Sequence, residues 1–487
     1  MDLSDLQINF STIMPEAILA AFGILVLLVG VFSSRKDGSK NHLGYISLIG
    51  VILALIFSFP LFGKIQYGFS DMVVADDFAS FFKVVFGVIC LLTILISIGY
   101  TRQQDVGTGE YYALILFSTL GMMLMASGTN LLTIFLGLET MSISIYVLAG
   151  IMRNDPKSIE SAMKYFILGA FATGFFLYGV ALIYGSTGSF NLKEIASYIS
   201  ASGSAGRSPL LIIGIALLTI GFGFKIATVP FHMWTPDVYE GAPTSITAFM
   251  ATGVKAAAFA GLVRVFYSAL SPFQSDWTAI MWLLAVATMT VGNLVAISQS
   301  NIKRMLAYSS IAHGGYILVA FTAGNDLGTS SILFYLLAYA FMNIGAFTVV
   351  ILLGKKGEEN TLITDYAGIG FKYPLLAAAM AIFMLSLAGI PPLAGFMGKF
   401  YIFSAAVKAK FYWLAVIGVL NSALSVYYYL RVTVFMYFRE AERDITGLTF
   451  SPAAVAGVII AVAGVLYLGI LPSTVLALAR ASIGVLM

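Results

Sequence analysis

Lys225, Lys255, Lys399 and Glu139 are the residues of this sequence best placed to do chemistry, because each interrupts a run of apolar residues. Amines and a carboxylate held away from water exchange protons, with burial and neighbouring charge setting how tightly each proton is held. At about 1.5 Å per helical residue, Glu139 is about 14 Å into a helix starting near Asn130. Lys255 is about 17 Å into one starting near Thr244, and Lys225 about 22 Å into one starting near Leu210. The middle of a roughly 30 Å hydrocarbon layer is about 15 Å from either edge. A charge there costs roughly 2.5–3.5 kcal/mol on insertion scales, whereas a lysine near a helix end escapes by snorkelling. Of 26 basic residues, 19 fall in loops and seven inside apolar runs, where Glu139 is the one clear carboxylate. A structural ion pair accounts for one Glu–Lys couple and leaves the other lysines unmatched. That imbalance points to a route for ions, most simply protons.

Lys399 carries a second signal. The apolar stretch 374–407 is too long for one straight span and contains Gly389-Ile390-Pro391-Pro392, which cannot continue a helix. In the same way, Lys225 is followed by Pro230. Irregular backbone at membrane depth is tolerated where it is buried in protein or lines a wet cavity, and two interrupted lysine-bearing spans suggest a transport site. Lys164 lies about 12 Å beyond an Asp155-Pro156 helix start, a depth that suits either a relay or a snorkelling side chain. His313 suits a proton relay or a satisfied core histidine, and His232 falls in the interruption beside Pro230. Lys83, Arg264 and Arg431 read as snorkelling or topology residues.

The elements that must position these groups are membrane-spanning helices. The chain of 487 residues is 60% hydrophobic and only 10% charged, far below the roughly 25% charge of a soluble domain. About fourteen apolar runs of spanning length start near Met14, Leu43, Ala79, Tyr111, Asn130, Pro156, Leu210, Thr244, Trp277, Met305, Thr329, Pro374, Phe411 and Pro452. The expected fold is an all-α polytopic membrane protein of about 14 transmembrane helices. Residues 1–110 form a three-helix segment, 111–265 and 266–440 two five-helix units of inverted topology with interrupted helices, and 441–487 a final spanning helix. One alternate set of loops holds 13 basic residues, among them Arg102, Arg153, Lys303 and Lys355, and the other holds 6. The richer set marks the cytoplasmic side, so both termini are expected on the opposite one. The N-terminus lacks the basic region of a cleavable signal, so the first run is expected to be retained. One cysteine and three scattered histidines provide neither a disulfide framework nor an iron–sulfur or metal site. With a net charge of only +3, no basic patch suggests nucleic acid.

Several segments resemble one family. Gly137-Leu138-Glu139-Thr140-Met141-Ser142, Lys225 to Trp234, Pro236-Asp237-Val238-Tyr239-Glu240-Gly241-Ala242-Pro243-Thr244, Lys303 to His313 and Gly389 to Lys399 are similar to the antiporter-like membrane subunits of respiratory complex I, the NADH:quinone oxidoreductase. The stretch Met163 to Ala170 and the end soon after span fourteen resemble the short subunit N type. The resemblance implies two inverted five-helix units, a pair formed by Glu139 and Lys225, a middle lysine at Lys255 and an exit lysine at Lys399. It implies a proton-translocating subunit of a bacterial inner (plasma) membrane enzyme. Its partners would be other membrane subunits, sibling antiporter-like chains included, together with the lipid bilayer. No cofactor is expected in this chain; NADH, FMN, iron–sulfur clusters and quinone would be bound by partner subunits. A subunit of a multi-subunit cation/proton antiporter and a passive scaffold are the alternatives.

Overall fold

The structure is a computed structural model that describes residues 8–33, 41–106, 108–202, 208–355, 360–441 and 448–484. Arg35, Lys36, Lys40, Arg207, Lys356 and Arg443 of the loop census lie outside these residues. Long apolar runs must satisfy their own backbone in lipid, and here they do so as helices. The N-terminal segment comprises α1 (Met14–Phe32), α2 (Asn41–Ser58), a hairpin of β1 (Gln66–Gly68) and β2 (Val73–Ala75), and α3 (Asp77–Gln104). Then come α4 (Gly109–Ser127), α5 (Leu131–Ala149), α6 (Pro156–Thr187), α7 (Leu192–Ser202), α8 (Pro209–Ile226), α9 (Thr235–Gly241), α10 (Thr244–Phe249) and α11 (Lys255–Arg264). The next group is α12 (Gln274–Ile297), α13 (Ile302–Ala323), α14 (Asp326–Leu353), α15 (Ile369–Lys372), α16 (Pro374–Ala388), α17 (Ala394–Lys408) and α18 (Tyr412–Phe438). The chain closes with α19 (Pro452–Ile470) and α20 (Pro472–Ile483).

Among the described residues, 13 helical stretches are long and apolar enough to cross a membrane, and α16 with α17 makes an interrupted fourteenth. All expected span starts lie within 3 residues of the observed ones. The Asp155 cap is present, its carboxylate accepting from Lys157 N at 3.0 Å. Sequence reading missed the hairpin, the amphipathic α7 with Leu192, Ile195 and Ile199 buried on one face, and α20. The segment 441–487 therefore holds a spanning helix followed by a 12-residue one, about 18 Å long and too short to span.

The middle of the bundle is built from three elements: the eighth span (Thr244–Ala269), buried on every side, α13 and α14. Around this core, Asn130 and Asn301 occupy matching places. Each caps a spanning helix and bonds its first backbone amides, and each forms an antiparallel bridge with a loop, at Asn191 and Leu362 respectively.

Outside the candidate site, Lys83 and Arg264 are buried in ion pairs, and two further cations are held by backbone carbonyls. Lys83, wholly buried, meets Glu16 at 2.8 Å and the Thr12 carbonyl at 2.7 Å. Arg264 forks onto Asp76 at 2.9 and 3.0 Å and donates to the Ala126 carbonyl at 2.6 Å. Glu16 and Asp76 thus join Glu139 as carboxylates within the helical body. Arg431 donates to the Ile297 and Gln299 carbonyls at the end of α12. Lys303, counted with the loops, is buried and donates to the Ala242 carbonyl at 2.9 Å.

Candidate functional site

α8 stops at Ile226 because Ala227 takes left-handed backbone (φ 64°), a conformation an alanine adopts at a cost of about 1–2 kcal/mol. Lys225 is therefore in the last turn of a helix that ends inside the membrane, where the free carbonyls and the negative end of the dipole favour a cation. Its amine is buried in an aromatic box. It donates to Tyr146 Oη at 3.1 Å and sits 5.1 Å from the Tyr146 ring, 5.3 Å from Tyr165 and 5.7 Å from Phe224. Trp234, from the break, stacks on Tyr165 at 4.4 Å and closes the box. Ring faces attract a cation that has lost its water.

Glu139 does not touch Lys225. Its carboxylate turns toward α6 and accepts from Thr173 Oγ1 at 2.8 Å, on a half-buried face of α5. No ion pair within 4 Å joins the two described residues. Tyr146 meets the amine instead: it is on the same face of α5, seven residues or about 10 Å further along, and its hydroxyl takes the place beside Lys225 expected for the carboxylate. The pair implied by the resemblance is absent in this structure; a phenol and three rings surround the amine instead.

Lys255 follows a π-helical turn, Met250–Val254, a feature often found at functional sites. Its amine donates to Ser310 Oγ at 2.6 Å and to the Ser310 carbonyl. Gly314 of α13 faces both the Lys255 amine and the Ile226 carbonyl: a Cβ there would be 3.7 and 3.4 Å from them. Lys255 thus lies against the broken end of α8. His313, one turn beyond Ser310, uses both ring nitrogens, Nδ1 with Tyr335 Oη at 2.6 Å and Nε2 with Tyr429 Oη at 2.9 Å. Tyr429 also bonds Ser309.

Lys399 is in α17, just past the second break. Its amine donates to the Leu387 and Ala388 carbonyls at 2.9 and 3.0 Å and to Ser422 Oγ at 3.0 Å, with the Tyr316 ring 4.9 Å away. The two carbonyls belong to the last turn of α16 and are free because the Gly389–Leu393 break ends that helix. Each interruption therefore ends a half-helix beside a lysine, Lys225 within the last turn of α8 and Lys399 against the last turn of α16. Lys399 also borders a groove of about 950 Å³ lined by Phe396, Phe403, Ser404, Tyr412 and Ser422.

Two of the weaker candidates fall elsewhere. Lys164 is 39% exposed and held by Glu160 at 2.6 Å and Asp237 at 2.7 Å, so it joins a surface charge cluster and not the buried amines. His232 lies in the break, buried, with no partner at Nδ1. Sequence reading missed Tyr146, Tyr165, Ser310, Tyr335, Tyr429 and Ser422. Hydroxyls are so common in spanning helices that no signal separates these from the rest until packing brings them to an amine.

The family described as NADH:quinone oxidoreductase/Mrp antiporter, TM, matches residues 128–425. NADH-quinone oxidoreductase subunit N of Trichlorobacter lovleyi is 55% identical over 476 residues, which is 98% of this chain and 97% of that one. A chain of respiratory complex I from Thermus thermophilus is 37% identical, with a TM-score of 0.81 over 96% of this chain and 99% of that one. A chain of the Mrp complex from a Dietzia species has the same fold at 20% identity, with a TM-score of 0.81 over 96% of each chain. The buried lysines and broken spans therefore belong to a known group: this chain is a member of the antiporter-like family of NADH:quinone oxidoreductase membrane subunits, within its subunit N branch.

Proposed function

We propose that this chain moves protons across the membrane as subunit N of a proton-pumping NADH:quinone oxidoreductase, and that Lys225, Lys255, His313 and Lys399 carry them. One observation carries the reading: three amines exposed by only 2%, 1% and 4%, none with a carboxylate partner among the described residues, each held by hydroxyl, carbonyl or ring acceptors that leave it free to lose a proton. Such an amine keeps its hydrogen-bond neighbours whether charged or neutral, which suits a carrier better than a salt bridge does. Lys255 reaches Ser310, and His313 is one helical turn from Ser310. His313 then continues through Tyr335 and Tyr429 toward the region of Lys399. Glu139 acts on Lys225 from beyond ion-pair distance, through a face of α5 that a neighbouring subunit can approach. Electron transfer from NADH to quinone, with FMN and iron–sulfur clusters, occurs on partner chains and reaches this one as a change of charge or packing at such a face.

The basic-rich loops are taken as cytoplasmic, which puts both termini on the far side. Residues 111–265 and 266–440 are read as inverted copies, a reading supported by the matching bridges at Asn130 and Asn301. The multi-subunit antiporter remains as a second reading on the strength of the shared fold. The deciding experiment reconstitutes the complex with Lys255→Ala or Lys399→Ala and measures protons moved per electron. The expected result is loss of coupling in assembled enzyme; unchanged coupling would overturn the file.

A further inference from the structure

The segment Pro236 to Pro243 and the start of α13 carry charges that the lysine file does not use. Asp237 and Glu240, three residues apart on α9, face outward together. Arg304 Nη1 donates to Asp237 at 2.8 Å and to Glu240 at 2.9 Å. Lys164 meets Asp237 at 2.7 Å, and Lys157 meets Glu240 at 3.0 Å. With Glu160 on Lys164, three cations face three carboxylates, and removing one charge leaves its partners unmatched.

α9 needs such ties. Seven residues are too few to hold a helix unaided, and α9 lies between the irregular stretch Ala227–Trp234 and the turn at Ala242-Pro243. Other bonds seat it: Ser161 Oγ to the Val238 carbonyl at 3.0 Å and Lys303 to the Ala242 carbonyl at 2.9 Å. Gly241 brings it so close to α6 that a Cβ would be 2.3 Å from the Lys157 carbonyl oxygen. Between the two carboxylates, Tyr239 is buried, and α9 packs against α13, which carries Ser310. Ser310 is the residue that accepts from Lys255. One short helix therefore has ion pairs on its outer face and the Lys255 site behind its inner one.

The geometry points to a latch: Asp237 and Glu240, held by Lys157, Lys164 and Arg304, keep α9 seated on α13, and their release opens Lys255 to water from the basic-rich face. Asp237, Glu240 and Arg304 are positioning residues, acting on Lys255 through α9 and α13. The partly exposed side chains suit this role, because pairs at a surface are individually weak and can part and re-form. The latch rests on the reading of Lys255 as a proton carrier.

The test uses the intact complex in membrane vesicles, with Arg304→Gln, the double variant Asp237→Asn with Glu240→Gln, and Arg304→Lys as the conservative control. Hydrogen exchange of the 235–241 backbone is read together with passive proton leak and protons moved per electron. The two neutralising variants should exchange at least tenfold faster, leak protons with electron transfer stopped, and pump less per electron; Arg304→Lys should stay near wild type. Wild-type complex provides a measurement free of folding effects. Raising salt from about 0.1 M to about 1 M shortens the screening length from about 10 Å to about 3 Å and should also speed exchange at 235–241. Wild-type exchange rates in the variants and at high salt overturn the latch. So do faster exchange rates with no change in leak or coupling. The lysine file is judged separately, by Lys255→Ala: unchanged coupling there sinks the file whatever the exchange data show.

Discussion

Gly389 makes room for Lys399. The glycine takes φ +91°, and a Cβ built on it would be 3.1 Å from Lys399 Cδ and 3.5 Å from the amine. A side chain at 389 therefore meets two obstacles, a left-handed backbone costing about 1–2 kcal/mol and a lysine stem it would push aside. Gly389→Ala should displace the Lys399 amine from the Leu387 and Ala388 carbonyls. The expected outcome is assembled complex with electron transfer largely kept and fewer protons per electron, measured by quenching of a pH-sensitive dye in vesicles. Equal losses of assembly and pumping would mean that the glycine serves folding alone.

Ser310 offers Lys255 two acceptors, and a side-chain substitution removes one. Ser310→Ala deletes the hydroxyl bond at 2.6 Å and leaves the carbonyl in place. Hydrogen bonds to charged groups contribute about 1.5–3 kcal/mol, so coupling should fall by about tenfold or more, with Ser310→Thr retaining most of it. A pumping assay on the three proteins checks this. Ser310→Ala with full coupling would show that the carbonyl suffices.

Arg264 and Lys83 separate structural charge from functional charge. Asp76→Ala strands the Arg264 guanidinium among apolar side chains, and breaking a buried pair on one side costs about 3–5 kcal/mol. The prediction is poor assembly on native electrophoresis and a lower melting temperature, with normal protons per electron in whatever assembles. Lys83→Met with Glu16→Leu removes both members of the other pair and should be tolerated far better than Lys83→Met alone. If either pair carries protons, the fraction that assembles will be uncoupled.

How much of this was legible in the sequence follows from what each signal depends on. Spans, breaks and stranded lysines are properties of local hydropathy and of proline, so Lys225, Lys255 and Lys399 were found with the interruptions that hold two of them. Partnership is not local. Lys83 and Glu16 are 67 residues apart and Arg264 and Asp76 are 188 apart, so no window of sequence shows that they neutralise each other. The depth of Lys164 counted along α6 leaves it between relay and snorkelling, because Asp237 and Arg304 arrive from α9 and α13. Likewise, the depths of about 14 Å for Glu139 and about 22 Å for Lys225 leave the two offset along their spans, and packing shows which residue of α5 is level with the amine: Tyr146, with Glu139 turned to Thr173.

That separation decides how strongly Glu139 can act. Two unit charges about 4 Å apart at an effective dielectric of about 20 interact by about 4 kcal/mol, and the energy falls as the inverse of the distance. Glu139→Gln should therefore weaken coupling by roughly tenfold, well short of the loss from Lys225→Ala. Tyr146→Leu, which removes the hydroxyl at 3.1 Å and one of the three rings, should do more harm than Glu139→Gln although it changes no charge. Tyr146→Phe keeps the ring and should lie between wild type and Tyr146→Leu. Protons per electron for the four variants, in complexes matched for content, give the order. If Glu139→Gln is as damaging as Lys225→Ala while Tyr146→Leu is mild, the carboxylate must swing into contact with the amine during turnover, and the phenol is only a resting partner.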